Sequence, residues 1–178
     1  MKKETFLIIF AMILLSLAPT ARADGISYTL TNLGGQNWSY TYTVTNTTIA
    51  SGLYAFDIYF PAVSSADALS YSNITEIANP DSTNWITTIF DPSAPNLGGF
   101  YDALALASPI NQGDSLGGFN VSFAYSGATP LGSQYFEIYD LNYNLLETGT
   151  TVPTPEPSTF LLFVSGVLVF LGLGRWSR

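Results

Sequence analysis

The sequence predicts an all-β protein, a single antiparallel β-sandwich or jelly roll of about eight or nine short strands, set between two hydrophobic ends. Three observations predict it. Apolar residues alternate with hydroxyl-bearing ones through the middle of the chain, the period-two spacing of strands with one buried face. Turn-forming Gly, Asn, Asp and Pro clusters recur between these runs. No segment of the middle has apolar residues at helical spacing.

The strands follow in order. A first is expected over residues 26–32. In the second, Trp38, Tyr40, Tyr42 and Val44 alternate with Ser39, Thr41, Thr43 and Thr45, giving one apolar and one hydroxyl-rich face. In the third, Phe56, Ile58 and Phe60 share a face opposite Asp57 and Tyr59. Further strands are expected over 69–77, 84–90 and 100–106. Phe119, Val121, Phe123 and Tyr125 then alternate with Asn120, Ser122 and Ala124, and Phe136 and Ile138 with Glu137 and Tyr139. A last strand is expected over 143–148, and residues 64–69 have room for one helical turn. The turns fall at Gly34-Gly35, Ser51-Gly52, Asn79-Pro80-Asp81, Asp91-Pro92, Asn96-Leu97-Gly98-Gly99, Asn111-Gln112-Gly113-Asp114 and Ser126-Gly127.

Charge is unevenly placed. The basic residues Lys2, Lys3, Arg22, Arg175 and Arg178 all lie in the ends, so residues 24–151, one domain, contain no Lys, Arg or His. The same stretch carries eleven acidic residues. Nucleic-acid affinity rests on Lys and Arg displacing counterions, so a nucleic-acid partner is excluded, and an anionic lipid surface is equally unsuited. Neutral sugars, cations and basic proteins remain. Without Lys to block edge pairing, edge protection falls to Asp57, Glu137 and the prolines, unless an edge is meant to pair.

The N-terminal end, residues 1–23, reads as a signal peptide for signal peptidase. Lys2 and Lys3 precede an apolar run over 6–17, Pro19 breaks the helix, and Ala21-Arg22-Ala23 forms a small-x-small site with cleavage before Asp24. The run is short of the roughly twenty residues that a membrane-spanning helix needs.

The C-terminal end, residues 152–178, opens with Val152-Pro153-Thr154-Pro155-Glu156-Pro157-Ser158-Thr159. Its prolines predict an extended, unpaired linker. An apolar run from Phe160 to Gly174 follows. With Ser158 or Thr159 as its cap, a helix over about 158–174 is roughly 25 Å long, enough for a short membrane span. Arg175 and Arg178 hold its far end on the cytoplasmic side, and Trp176 suits the interface. The body then faces away from the cytoplasm, in agreement with the signal peptide.

The run Pro155-Glu156-Pro157-Ser158-Thr159, the immediate apolar helix and the terminal arginines resemble the PEP-CTERM sorting signal, over residues 152–178. This chain departs from the family in having two separated arginines where a denser basic cluster is usual. The resemblance implies an exosortase substrate in which Pro155, Glu156 and Pro157 are the processing signal. It also implies passage through the inner membrane, with the body periplasmic, to the cell surface or extracellular matrix in bacteria that make exopolysaccharide or biofilm.

The residue inventory of the body limits its chemistry. Without His, Cys or Lys there is no Ser–His–Asp triad, Cys–His pair, Ser–Lys dyad or imidazole-held zinc. A two-carboxylate glycosidase is formally allowed, with Asp57, Asp102, Asp114, Glu137 and Asp140 as candidates; solvated carboxylates on outer strand faces are the plainer expectation. No cofactor is expected. Calcium stays open but unassigned, with Asp91, Asp102 or Asp114 contributing. Residues 140–147 carry oxygens at alternate positions, but Leu145 stands where an EF-hand loop needs Gly, so a strand and turn are expected. Eleven tyrosines lie in the body, most of them expected in strand packing, with Tyr59, Tyr139 and Tyr143 pointing outward. Four Asn-x-Ser/Thr sequons, at Asn37, Asn46, Asn73 and Asn120, are expected to carry no glycan. The functional expectation is a non-catalytic envelope or matrix protein, with a carbohydrate-binding module as the alternative and a glycan-active hydrolase behind it.

Overall fold

A computed structural model describes residues 25–61, 71–92, 98–127 and 131–154. The signal-peptide site (Ala21, Ala23, Asp24), the processing signal (Pro155, Glu156, Pro157), the anchor residues (Phe160, Gly174, Arg175, Arg178) and the helical turn over 64–69 lie outside the described residues.

The described residues form ten strands and no helix: β1 (Gly25–Gly34), β2 (Asn37–Thr45), β3 (Ala55–Phe60), β4 (Tyr71–Ala78), β5 (Trp85–Phe90), β6 (Gly99–Ala105), β7 (Ser115–Tyr125), β8 (Tyr135–Tyr139), β9 (Leu145–Thr150) and β10 (Val152–Pro153). They build two five-stranded sheets, ordered β10-β1-β2-β7-β4 and β5-β6-β3-β8-β9. The all-β expectation holds, and the two sheets enclose one core as a β-sandwich.

The period-two pattern sets which side chains enter that core. Tyr40, Tyr42, Val44, Phe119 and Val121 from the first sheet are fully buried against Phe56, Ile58, Phe60, Tyr101 and Ile138 from the second. Fully burying an apolar side chain of this size contributes about 1.5–3 kcal/mol, so the alternation fixes the parity of each strand. Aromatic rings meet between the sheets: Phe56 and Phe119 edge-on at 5.0 Å, and Trp85 and Phe119 at 5.6 Å. Such edge contacts add about 0.5–1.5 kcal/mol per pair beyond burial. The buried phenols find partners, Tyr40 Oη donating to Gly132 O at 2.9 Å and Tyr42 Oη to Gln134 Oε1 at 3.2 Å.

One pairing departs from the antiparallel expectation. Thr151, fully buried, takes the chain from β9 across to the other sheet, and β10 therefore runs parallel to β1, with Val152 opposite Ser27 and Pro153 opposite Tyr28. Thr154 N donates to Tyr28 O at 2.8 Å. The start of the proline-rich segment is extended, as expected, but paired. Proline is tolerated there because β10 is an edge strand, where one side of the backbone needs no partner.

A second departure concerns Asp57 and Glu137, expected to guard edges. Asp57 lies on β3, the central strand of its sheet, and Glu137 on β8, which has strands on both sides. Their carboxylates stand in the middle of an outer sheet face.

Candidate functional site

The outer face of the second sheet gathers the chemistry-bearing side chains. β3 is flanked by β6 and β8, and Asp57 is directly opposite Asp102 on β6 and Glu137 on β8. Thr88 on β5 and Thr148 on β9 extend this row to both edges. Parity is enforced from below. Phe56, Ile58 and Phe60 are fully buried, so a slip of one residue would drive Asp57 and Tyr59 into the core.

A row of rings runs beside the carboxylates, two residues along each strand. Phe90, Phe100, Tyr59 and Tyr135 come from β5, β6, β3 and β8. Successive ring centroids are 4.2, 5.8 and 5.5 Å apart. Phe90 and Phe100 are stacked within 16° of parallel, and the next two pairs are tilted by 33° and 44°. The rings lean on one another as a ridge rather than lying flat. Its two ends are open, with Phe90 49% and Tyr135 44% exposed. On the other side of the carboxylates stand Ile86, Leu104, Tyr139 and Leu145, with the Tyr143 ring 6.2 Å from that of Tyr139. Ala55, small and fully buried, lies between Leu104 and Tyr139 in this second row, and the short acidic side chains between the two rows floor a shallow trough across the strands.

The carboxylates are held by phenols instead of cations. Glu137 accepts from Tyr59 Oη at 2.7 Å, from Tyr135 Oη at 3.0 Å and from Tyr139 Oη. These donors favour the charged form, so the Glu137 carboxyl lies below its usual range. Burial, and then the same bonds to Glu137, push the Tyr59 and Tyr139 phenols up. Asp57 and Asp102 are in hydrogen-bond contact with each other. Burial raises both, and Asp102, facing the Asp57 charge as well, is pushed up to about 6. The pair therefore keeps a proton to higher pH than an isolated Asp does.

The other sequence candidates are placed elsewhere. Asp140 is consumed by its own turn: Oδ1 accepts from the N–H of Asn142 and Asn144 at 2.8 and 2.9 Å, and Oδ2 from Asn144 Nδ2 at 2.8 Å. Residues 140–147 are thus the hairpin between β8 and β9. Asp91 Oδ1 accepts from Ile74 N at 3.0 Å and ties β4 to the end of β5. Asp114 sits in the turn before β7. Asp91, Asp102 and Asp114 fall on separate elements, and among the described residues no three acidic side chains converge to hold a metal ion. Of the glycosidase candidates, only Asp57, Asp102 and Glu137 are brought together. The sequon Asn46 is fully buried and bonded through both ends of its amide, which leaves no room for a glycan there.

Tyr59, Tyr139 and Tyr143 do point outward, as expected. Phe90, Phe100 and Tyr135 complete the site unforeseen. For Tyr135 a signal existed: it shares alternation parity with Glu137 and Tyr139. The β5 strand, WITTIF, is apolar on both faces, so its pattern does not tell which side carries Phe90.

No protein-family model matches this chain, and no curated protein matches it. Among solved structures it is similar to a cohesin module from a Clostridium perfringens family 33 glycoside hydrolase. The TM-score is 0.45, with 9% identity over 74% of this chain and 98% of that one. It is also similar to a GH20 exo-β-N-acetylglucosaminidase from Vibrio harveyi solved in complex with N-acetylglucosamine. There the TM-score is 0.37, with 12% identity over 75% of this chain and 18% of that one.

Proposed function

We propose that this chain is an exported envelope or extracellular-matrix protein. Its β-sandwich body is non-catalytic and holds exopolysaccharide on the outer face of the second sheet. The observation that carries the binding role is the ridge Phe90–Phe100–Tyr59–Tyr135 beside a row of hydrogen-bonding carboxylates. Sugar rings combine an apolar face with a rim of hydroxyls, and an aromatic wall next to acceptors suits both. Export and sorting rest on the two ends. Signal peptidase removes residues 1–23, the helix over 158–174 holds the body at the inner membrane, and exosortase acts at Pro155, Glu156 and Pro157.

The hydrolase reading draws on the facing pair Asp57 and Asp102. Its geometry speaks against that role. Retaining glycosidases set their carboxyls about 5–5.5 Å apart and inverting ones further, with the sugar between them. Asp57 and Asp102 instead hydrogen-bond to each other.

Two measurements test the proposal. Intact mass and fractionation of the protein from hosts with and without exosortase test the sorting. Loss of both ends and departure from the inner membrane only when the enzyme is present supports it; an intact tail in both hosts overturns it. Retardation of the purified full chain in gels containing polysaccharide tests the binding. Retardation that disappears in Phe90→Ala and Tyr135→Ala supports it, and unaltered mobility of the wild-type chain in every gel overturns it.

A further inference from the structure

Four features of the trough converge on one ligand chemistry. Its floor carries three carboxyl groups, Asp102, Asp57 and Glu137, in one row across adjacent strands. Residues 24–151 contain no Lys, Arg or His, so nothing in the body neutralises that row. Burial raises both carboxyls of the facing Asp57–Asp102 pair, and no cation in the body offsets it. Along one side runs the ridge of rings, and an aromatic face attracts a cation as well as an apolar surface.

Building on the glycan reading above, we propose that this face selects a polysaccharide bearing free, positively charged amino groups over a neutral or an acidic one. An ammonium seated over Asp57 and Asp102 offsets the charge of both carboxylates. The hydroxyls and apolar faces of the sugar meet the ridge and the exposed Thr88 and Thr148. A neutral sugar makes only the latter contacts. An acidic one meets like charge along the whole trough, which costs affinity rather than adding it. A lysine-rich peptide offers the ammonium but, on a flexible stem, no rigid ring to lie against a row of rings spaced 4.2–5.8 Å apart.

The test is calorimetric titration of the full chain, in detergent, with four probes at pH 7: a glucosamine hexamer, its fully N-acetylated counterpart, a galacturonate oligomer and a hexalysine peptide. The proposal expects the glucosamine hexamer to bind about tenfold or more tighter than the N-acetylated one. It expects no measurable galacturonate binding and weaker hexalysine binding. In Asp102→Asn a neutral amide of the same shape replaces the carboxyl, so the fold is kept while the charge falls; the preference for free amines, read as the ratio of the two hexamer affinities, should shrink severalfold. Asp114→Asn, which removes one charge from a turn outside the trough, should leave the preference intact.

Equal affinity for the two hexamers overturns amine selection and leaves the glycan reading standing. Binding of no saccharide overturns both. Hexalysine as tight as the glucosamine hexamer, or an equal effect of Asp114→Asn, shows attraction to net charge alone and overturns the inference.

Discussion

Asp57 and Asp102 face one another across adjacent strands of the second sheet, their carboxyls in hydrogen-bond contact and raised by burial, Asp102 to about 6. Like charges directly opposite in a sheet destabilise it, and the pair here accordingly ionises at higher pH than an isolated Asp.

Stability should therefore fall as pH rises through the range of this pair. A carboxyl whose folded pKa lies above its unfolded value stabilises the fold while protonated. That contribution is whole below about pH 4, and is lost as pH rises through about 6. The groups facing the pair are Glu137, Tyr59, Tyr139, Tyr143 and Thr88, none of them cationic. Glu137, held below its usual range, works in the opposite sense, and its contribution is lost as pH falls through its folded pKa. Urea denaturation should show a maximum near pH 5, with a loss of roughly 1 kcal/mol by pH 7 after allowance for solvent screening. In Asp102→Asn the loss between pH 5 and 7 should be largely absent. A wild-type profile flat from pH 5 to 7 would contradict the raised titration of the pair.

Phe90→Ala should separate binding from folding. Phe90 is 49% exposed at the edge of the sheet, so its removal should cost under about 1 kcal/mol of stability. It opens one end of the ridge and should weaken polysaccharide retention severalfold. Thermal unfolding and gel retardation on the same sample check both halves.

Gly99→Ala should damage the ridge indirectly. A Cβ at Gly99 would lie 2.6 Å from Phe90 O and 2.6 Å from Pro92 Cδ, too close for the end of the β5–β6 pair to remain in place. The expected cost is about 1–3 kcal/mol. The 4.2 Å Phe90–Phe100 stack should loosen with it, which aromatic NMR shifts would report.

Asn46→Ala should be among the more damaging polar substitutions. Asn46 Nδ2 donates to Ile49 O and Ile110 O at 3.0 and 2.8 Å, and Oδ1 accepts from Ile49 N at 2.9 Å. Truncation strands Ile49 N and takes one of two donors from Ile49 O and Ile110 O, which keep Gly52 N and Leu53 N, at a cost of roughly 1–3 kcal/mol in equilibrium unfolding.

Much of the fold was legible because both parities were strongly marked. In β2, β3 and the second half of β7 large apolar residues alternate with polar or small ones, so strand and buried face follow from sequence. The partnering of strands was not legible. Asp57, Asp102 and Glu137 are far apart in sequence, and only the order β6-β3-β8 brings them into one row. Nor does alternation show that Thr151 moves the chain to the other sheet, because that switch depends on the bonds between Thr151 and Gln134. The outward tyrosines Tyr59 and Tyr139 could be read from Asp57 and Glu137 beside them. Phe90 and Phe100 could not, since a phenylalanine beside apolar neighbours looks like core wherever it stands.

The most direct test of the central claim is backbone and aromatic NMR of the full chain in detergent during titration with a glucosamine oligomer. The account predicts perturbations confined to Phe90, Phe100, Tyr59, Tyr135 and the strands carrying Asp57 and Asp102. Perturbations centred on the hydroxyl-rich face of the first sheet, around Thr41 and Ser122, or none at saturating ligand, would contradict it.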